Sequence, residues 1–291
     1  MESDSKFASA DLTPIERPLH VTQIPNLPTD FSGQWDTSPR FFEPIISLGQ
    51  YRLSHHLLKL FSDIMFANNL GNRFIMYGGT LLGSYRHQDF IPWDDDVDVA
   101  VDIEVKPLVP NTLHQLRPHY LLVPGVKSDH FYTKLANNSF SQEDVLLSRN
   151  RTGMPWGWPF LDIFYYKVNK SAFIDAFNNT QNWPITMVMP LRFRPLGPGW
   201  YPTPRDTRAF FEHFYGALGN CQSLDWSHTR EVPITDVRVI PCNKLLSRFA
   251  FVTRHPTVKR GDVSWVPEQL IIRTAPDRLK TFQKIYIPST M

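Results

Sequence analysis

The sequence predicts a single mixed domain, α+β or α/β, spanning residues 45–250 between an irregular N-terminal arm (1–44) and a C-terminal extension (251–291). Three observations lead there. An amphipathic helical period runs from Gln50 to Leu70, short strand-like runs recur at 73–77, 96–101 and 160–166, and no linker composition divides 45–250. With 42% hydrophobic and 13% aromatic residues, the 291-residue chain has apolar side chains enough for a full core.

The elements follow in order. Residues 1–40 carry five prolines among polar residues and no sustained period, hence the arm. In the first helix Leu53, Leu57, Leu60, Phe61, Ile64 and Met65 recur at three- and four-residue spacings, and Gly71-Asn72 supplies a stop. His55 and His56 are neighbours on it, about 100° apart, poor geometry for sharing a metal, and read as surface or boundary residues. The apolar run Arg73–Tyr77, ended by Gly78-Gly79, reads as a buried strand entering a glycine turn, with a second helix over about 80–86. Asp96–Val101 alternates acid or small with apolar, the pattern of a half-buried strand. Phe160–Tyr166 is an aromatic-rich strand with one acid, Asp162. A further helix over 206–218 takes Asp206 as cap and Phe210, Phe211, Phe214 and Tyr215 as apolar stripe. Beyond Ser247 prolines at 256, 267, 276 and 288 break the pattern, and no role is assigned there.

Thirty basic against 28 acidic residues give a formal charge of +2, without net pull toward nucleic acid or an anionic membrane. No apolar run reaches 18 residues and Met1–Lys6 lacks the character of a secretory signal, so the expectation is a soluble protein without a membrane-spanning segment, cytoplasmic by default. Cys221 and Cys242 lack zinc-site spacing and read as two core thiols; one disulfide stays open for a chain entering the secretory pathway.

Chemistry concentrates in Asp94, Asp95, Asp96 and Asp98. A solvated acidic loop would not interleave them with Val97, Val99 and Val101, which must pack. On a strand Asp96 and Asp98 share a face at roughly 7 Å and repel unless a cation lies between them. Hard Mg²⁺ or Mn²⁺ ions take such carboxylates together with phosphate oxygens. An EF-hand loop fits Asp94, Asp96 and Asp98 as ligands 1, 3 and 5, but Val99 stands where its glycine is needed and Val105 where its glutamate is needed. A DxD glycosyltransferase site is the closer rival. The upstream turn separates the two: Gly78-Gly79-Thr80 offers backbone N–H groups and a helix N-terminus to phosphate. It matches neither the dinucleotide fingerprint nor the Walker loop. With Asp96, Asp98 and a third acid, Asp162, it completes a nucleotidyltransferase pattern, which selects an α+β fold with a small mixed sheet flanked by helices.

The stretch from Tyr77 through Gly78-Gly79-Thr80, Arg86-His87 and Pro92-Trp93 to Asp98 resembles the signature of the LicD family, which includes bacterial phosphocholine transferases and the animal fukutin and fukutin-related proteins. Phe160–Phe164 resembles the family's later acidic strand, and 190–216 its proline-rich turn and helix ending in Tyr-Gly, so the likeness covers roughly 73–216. Gln88 and Thr203 depart from residues common in the family, and the two cysteines give no sign of the zinc-binding insertion of fukutin-related protein.

The resemblance implies that Asp96, Asp98 and Asp162 hold Mg²⁺ or Mn²⁺ against the diphosphate of a CDP-linked donor, and that a phospho-alcohol such as phosphocholine or ribitol phosphate passes to a glycan acceptor. Asp162 as general base is an alternative role. Gly78, Gly79, Thr80, Arg86 and His87 are the candidate donor-phosphate contacts, Arg86 with a structural salt bridge as its other reading. Trp93 is expected to pack beneath the acids, and Asp94 and Asp95 rank below Asp96 as ligands. The resemblance also allows a secretory-pathway location. The competing functions are a DxD glycosyltransferase and a catalytically silent binding protein of the same fold.

Overall fold

The computed structural model describes residues 41–134 and 153–289; of the expected N-terminal arm only residues 41–44 fall within these ranges. The first helix, α1 (Leu48–Ala67), begins where Ser47 and Gln50 cap each other: each side chain accepts a hydrogen bond from the other's backbone N–H. Its Leu53, Leu57, Leu58 and Phe61 are wholly buried, as the 3.6-residue period requires.

Among the described residues, seven strands form a mixed sheet: β1 (Phe74–Met76), β2 (Asp98–Asp102), β3 (Tyr120–Val123), β4 (Asp129–Thr133), β5 (Leu161–Val168), β6 (Ala172–Asp175) and β7 (Asn182–Pro184). The order is β1-β2-β5-β4-β3, with β6 on the second half of β5 and β7 on β6. Only β2 and β5 run parallel. α1 packs on β4 and β5. The helices α2 (Gly78–His87), α3 (Val109–His114), α4 (Ile185–Val188) and α5 (Thr207–Tyr215) follow in chain order, with the hairpin β8 (Arg192–Leu196) and β9 (Gly199–Thr203) between the last two. The expected α+β class, a small mixed sheet with flanking helices, is the observed one.

Three expectations change. The strand at 96–101 begins at Asp98, and all five of its residues are buried, because β1 and β5 flank it on both edges and the core covers its faces. His55 is 7% exposed, not a surface residue: its Nε2 lies 2.9 Å from Asp89 Oδ1 and its ring packs against Tyr51 and Phe90. The stripe of α5 is narrower than expected; Asp206 does cap it, but only Phe210 and Phe211 are buried, while Tyr215 is 71% exposed.

The two cysteines are not free thiols. Strands β10 (Asn220–Gln222), β11 (Trp226–Ser227), β12 (Val232–Pro233) and β13 (Val239–Pro241) form nested ladders, β11 with β12 inside β10 with β13. A Cys221–Cys242 disulfide ties the base of this excursion. Paired thiols 21 residues apart could not be told from separate ones by spacing. Because the cross-link closes a loop of that length, Cys221→Ser is expected to cost about 3 kcal/mol in denaturant unfolding under oxidising conditions. A loss that is the same after reduction of the wild type would agree; an unchanged midpoint would not.

The C-terminal extension also has structure the sequence did not announce. β14 (Phe251–Arg254), β15 (Val258–Arg260), β16 (Val263–Ala275) and β17 (Arg278–Pro288) form an antiparallel sheet in the order β14-β16-β15, with β17 on the other edge of β16. Pro267 and Pro288 sit inside its ladders, which is why the segment reads as broken. β14 lies against α2. There His87 is fully buried, its Nδ1 donating to the Ala250 carbonyl at 2.7 Å, and burial holds its pKa down to about 4. The unfolded chain therefore binds a proton that the native one refuses between about pH 6.5 and 4, so stability should fall across that window as pH falls, by up to about 3 kcal/mol. His87→Asn should flatten that part of the curve of melting temperature against pH; an unchanged slope would refute the assignment.

Candidate functional site

The site forms where β1 hands over to α2. At the end of β1, the Tyr77 N–H donates to the Asp98 carbonyl, and Gly78 takes a left-handed backbone, φ +48°. A Cβ on Gly78 would lie 2.2 Å from Asp98 Oδ2, and one on Gly79 2.5 Å from Asp94 Oδ2. Both glycines are thus required for carboxylates to approach the helix start. The Gly79 N–H donates to Asp98 Oδ2 at 3.2 Å, and the Thr80 hydroxyl accepts from the Asp98 N–H at 2.8 Å. Thr80, 1% exposed, pins Asp98 rather than presenting its hydroxyl to a ligand.

Parallel pairing of β2 with β5 sets Asp98 directly beside Asp162. The Asp162 N–H donates to the Val97 carbonyl, which fixes the register at this end. Antiparallel pairing with β4 puts His130 on the other side of Asp162, its Nε2 3.2 Å from Asp162 Oδ1 without hydrogen-bond alignment. The His130 ring stacks on Trp156 at 3.7 Å.

The remaining acids divide by role. Asp95 points inward: its carboxylate accepts from the His228 and Thr229 N–H groups and the Thr229 hydroxyl and lies 2.9 Å from His228 Nδ1. It anchors the tip of the β11–β12 hairpin. Asp96 faces the cluster, with Oδ2 3.5 Å from His228 Nε2 and Oδ1 buried without a donor. Asp94, ranked low from the sequence, stands beside Asp96 and the glycine turn. Trp93 packs between Phe42 and Phe249 beneath the acids, donating to the Gln222 carbonyl.

Electrostatically the cluster is a held-together repulsion. Burial first, then Asp96 and Asp162, keep the Asp98 carboxyl well above the ordinary carboxylate range; burial and Asp96 do the same to Asp94. Burial pushes Asp162 up to about 7 although His228 pulls it down. Burial opposes a proton on His228, but Asp96, Asp95 and Asp98 outweigh it and raise its pKa well above the usual value. Tyr215, at the end of α5, feels Asp98 as well.

Arg86 and His87 are not brought to the acids. They occupy the far end of α2, roughly 10 Å of helix from Gly79. The Arg86 Nη2 donates to the carbonyls of Leu218 and Asn220, and His87 has no exposed surface for phosphate to reach. His130 and His228 went unnoticed in the sequence. His228 reaches the acids only through the disulfide-tied hairpin, and His130 only through sheet pairing, so neither leaves a local motif.

Residues 71–206 match the family model described as LicD/FKTN/FKRP, nucleotidyltransferase domain. That segment is similar to the LicD family. The chain is also 73% identical over 22 residues to the lipopolysaccharide cholinephosphotransferase LicD of Haemophilus influenzae, a match spanning 8% of each chain. The LicD-type segment contains Gly78, Gly79, Asp94, Asp96, Asp98, His130 and Asp162, whereas His228 lies beyond it. No helix among the described residues is long and apolar enough to cross a membrane.

Among the described residues, no three His, Cys, Asp or Glu side chains are arranged as a ready metal cage. The donor set still suits a hard dication: the side-chain oxygens are carboxylate, and Asp96 Oδ1 and Asp162 Oδ1 are buried without hydrogen-bond donors.

Proposed function

We propose that the LicD-type domain transfers a phospho-alcohol, phosphocholine, ribitol phosphate or similar, from a CDP-linked donor to a glycan hydroxyl, with Mg²⁺ or Mn²⁺ held by Asp96, Asp98 and Asp162. The observation that carries the reading is the pairing of Asp98 with Asp162 on adjacent strands at a glycine-turned helix start, with donorless carboxylate oxygens beside them. A divalent ion there would neutralise donor phosphate charge. The chain's own share is positional. Gly78 and Gly79 let the backbone approach, the helix start favours an anion, and Thr80 fixes Asp98. The acceptor oxygen bonds to the donor's distal phosphorus as the bond to CMP breaks, and a proton is released. The Cys221–Cys242 disulfide supports an oxidising compartment over the cytoplasmic default.

With Mn²⁺ present, CDP-choline or CDP-ribitol should stabilise the fold by about 2.7 kcal/mol at a hundredfold excess over its dissociation constant. UDP- and GDP-sugars should give smaller shifts. A larger metal-dependent shift with a nucleotide sugar, lost in Asp96→Ala, would move the protein to the glycosyltransferase class. No shift with any nucleotide would favour a silent binding protein.

A further inference from the structure

At the other end of α2 a cavity of about 400 Å³ opens between that helix, α5 and β14. Its walls include Tyr85, Arg86, Arg208, Glu212, Phe251 and Arg254. Three arginines from three different elements thus line it, with Glu212 as the one acid among the lining residues. Each charge can be followed to its partner. The Arg208 Nε meets Glu212 Oε1 at 2.8 Å, a neutral pair. Arg254 shares Glu268 with Arg194, so that group of three keeps one positive charge in excess. Arg86 has no carboxylate partner among the described residues; Nη2 bonds two carbonyls, and Nε is buried without any acceptor. Two positive charges therefore remain at the cavity without counter-ions, and a buried guanidinium N–H is left unsatisfied.

From this geometry we infer that the cavity is a binding site for a phosphomonoester of sugar size. A phosphomonoester carries close to two negative charges at neutral pH and three acceptor oxygens, which matches the excess charge and the convergence of arginines better than a carboxylate does. The volume falls in the range of small-ligand pockets and exceeds what inorganic phosphate fills. Tyr85, over whose ring Arg254 lies at 3.5 Å, and Phe251 supply apolar walls for the carbon skeleton. The site is distinct from the acid cluster, and its occupation does not depend on the transfer reaction proposed above.

The test is calorimetric titration of the full chain with glucose 6-phosphate, inorganic phosphate and glucose, all in EDTA so that no cation bridges phosphate to the acids. Glucose 6-phosphate should bind saturably with a dissociation constant below about 1 mM. Phosphate should bind more weakly and glucose not at all. Arg208→Ala, a change at an exposed side chain, should weaken glucose 6-phosphate binding several-fold. Arg86→Gln should weaken it about tenfold or more, and Asp96→Asn should leave it unchanged. No saturable binding, equal affinity in Arg208→Ala and the wild type, or loss of binding in Asp96→Asn would each overturn the assignment.

Discussion

Asp98→Asn is expected to lower metal-dependent transfer on the order of 10³-fold while leaving the metal-free melting temperature unchanged or raised. The two halves of this expectation have one cause. Asp98 is 5% exposed, lies beside Asp162 on the next strand and feels the Asp96 charge, so its carboxyl is costly to ionise where it stands. An amide of the same shape keeps the acceptor for the Gly79 N–H and relieves like-charge repulsion. What it loses is the anionic oxygen that a dication needs. Activity and stability should therefore separate, and Mn²⁺ should stabilise the wild type but not the variant. If the variant unfolds several degrees lower without metal, the Asp98 charge serves the fold, and the metal-site reading of the cluster fails.

The sequence carried the acids because they cluster within one short stretch beside a glycine pair. Asp94, Asp96 and Asp98 lie within five residues, and Asp162 sits alone in an apolar strand where a charge needs a reason. Pairing of β2 with β5 then brings these segments together across some sixty residues, which no local pattern specifies. For the same reason His130 and His228 were invisible: each reaches the cluster through long-range pairing. Arg86 and His87 misled because chain proximity to Gly79 was taken for spatial proximity, whereas a ten-residue helix carries them to its opposite end. His55 misled differently. Its neighbours Tyr51 and Leu58 mark the buried face, and the buried partner that makes a histidine tolerable there, Asp89, is supplied by a distant loop. The C-terminal sheet escaped because its strands are half-exposed on many positions and contain prolines.

One link between that sheet and the LicD-type segment is a buried carboxylate, and Glu268→Ala is expected to cost about 3–5 kcal/mol of unfolding free energy. Glu268, on β16, is 1% exposed. Its two oxygens accept from Arg194 of β8 at 3.0 and 2.8 Å, and Arg254 of β14 adds a contact at 3.0 Å. Gln88, just past α2, donates to the same carboxylate at 3.4 Å. Burial alone would raise the Glu268 pKa, but Arg194 and Arg254 outweigh it and hold it below the ordinary value. Removing the carboxylate leaves the Arg194 guanidinium, itself 4% exposed, without its counter-ion. Because the native pKa is depressed, the stabilisation is complete above the unfolded value and is lost as pH falls through the native one. The deficit of Glu268→Gln, measured by denaturant unfolding, should accordingly be large at pH 7 and shrink in acid. Pairing Glu268→Ala with Arg194→Met should recover part of the loss, since the unpaired charge goes with it. A deficit below about 1 kcal/mol, or no recovery in the double variant, would mean that apolar contact rather than this buried ion group holds the C-terminal sheet in place.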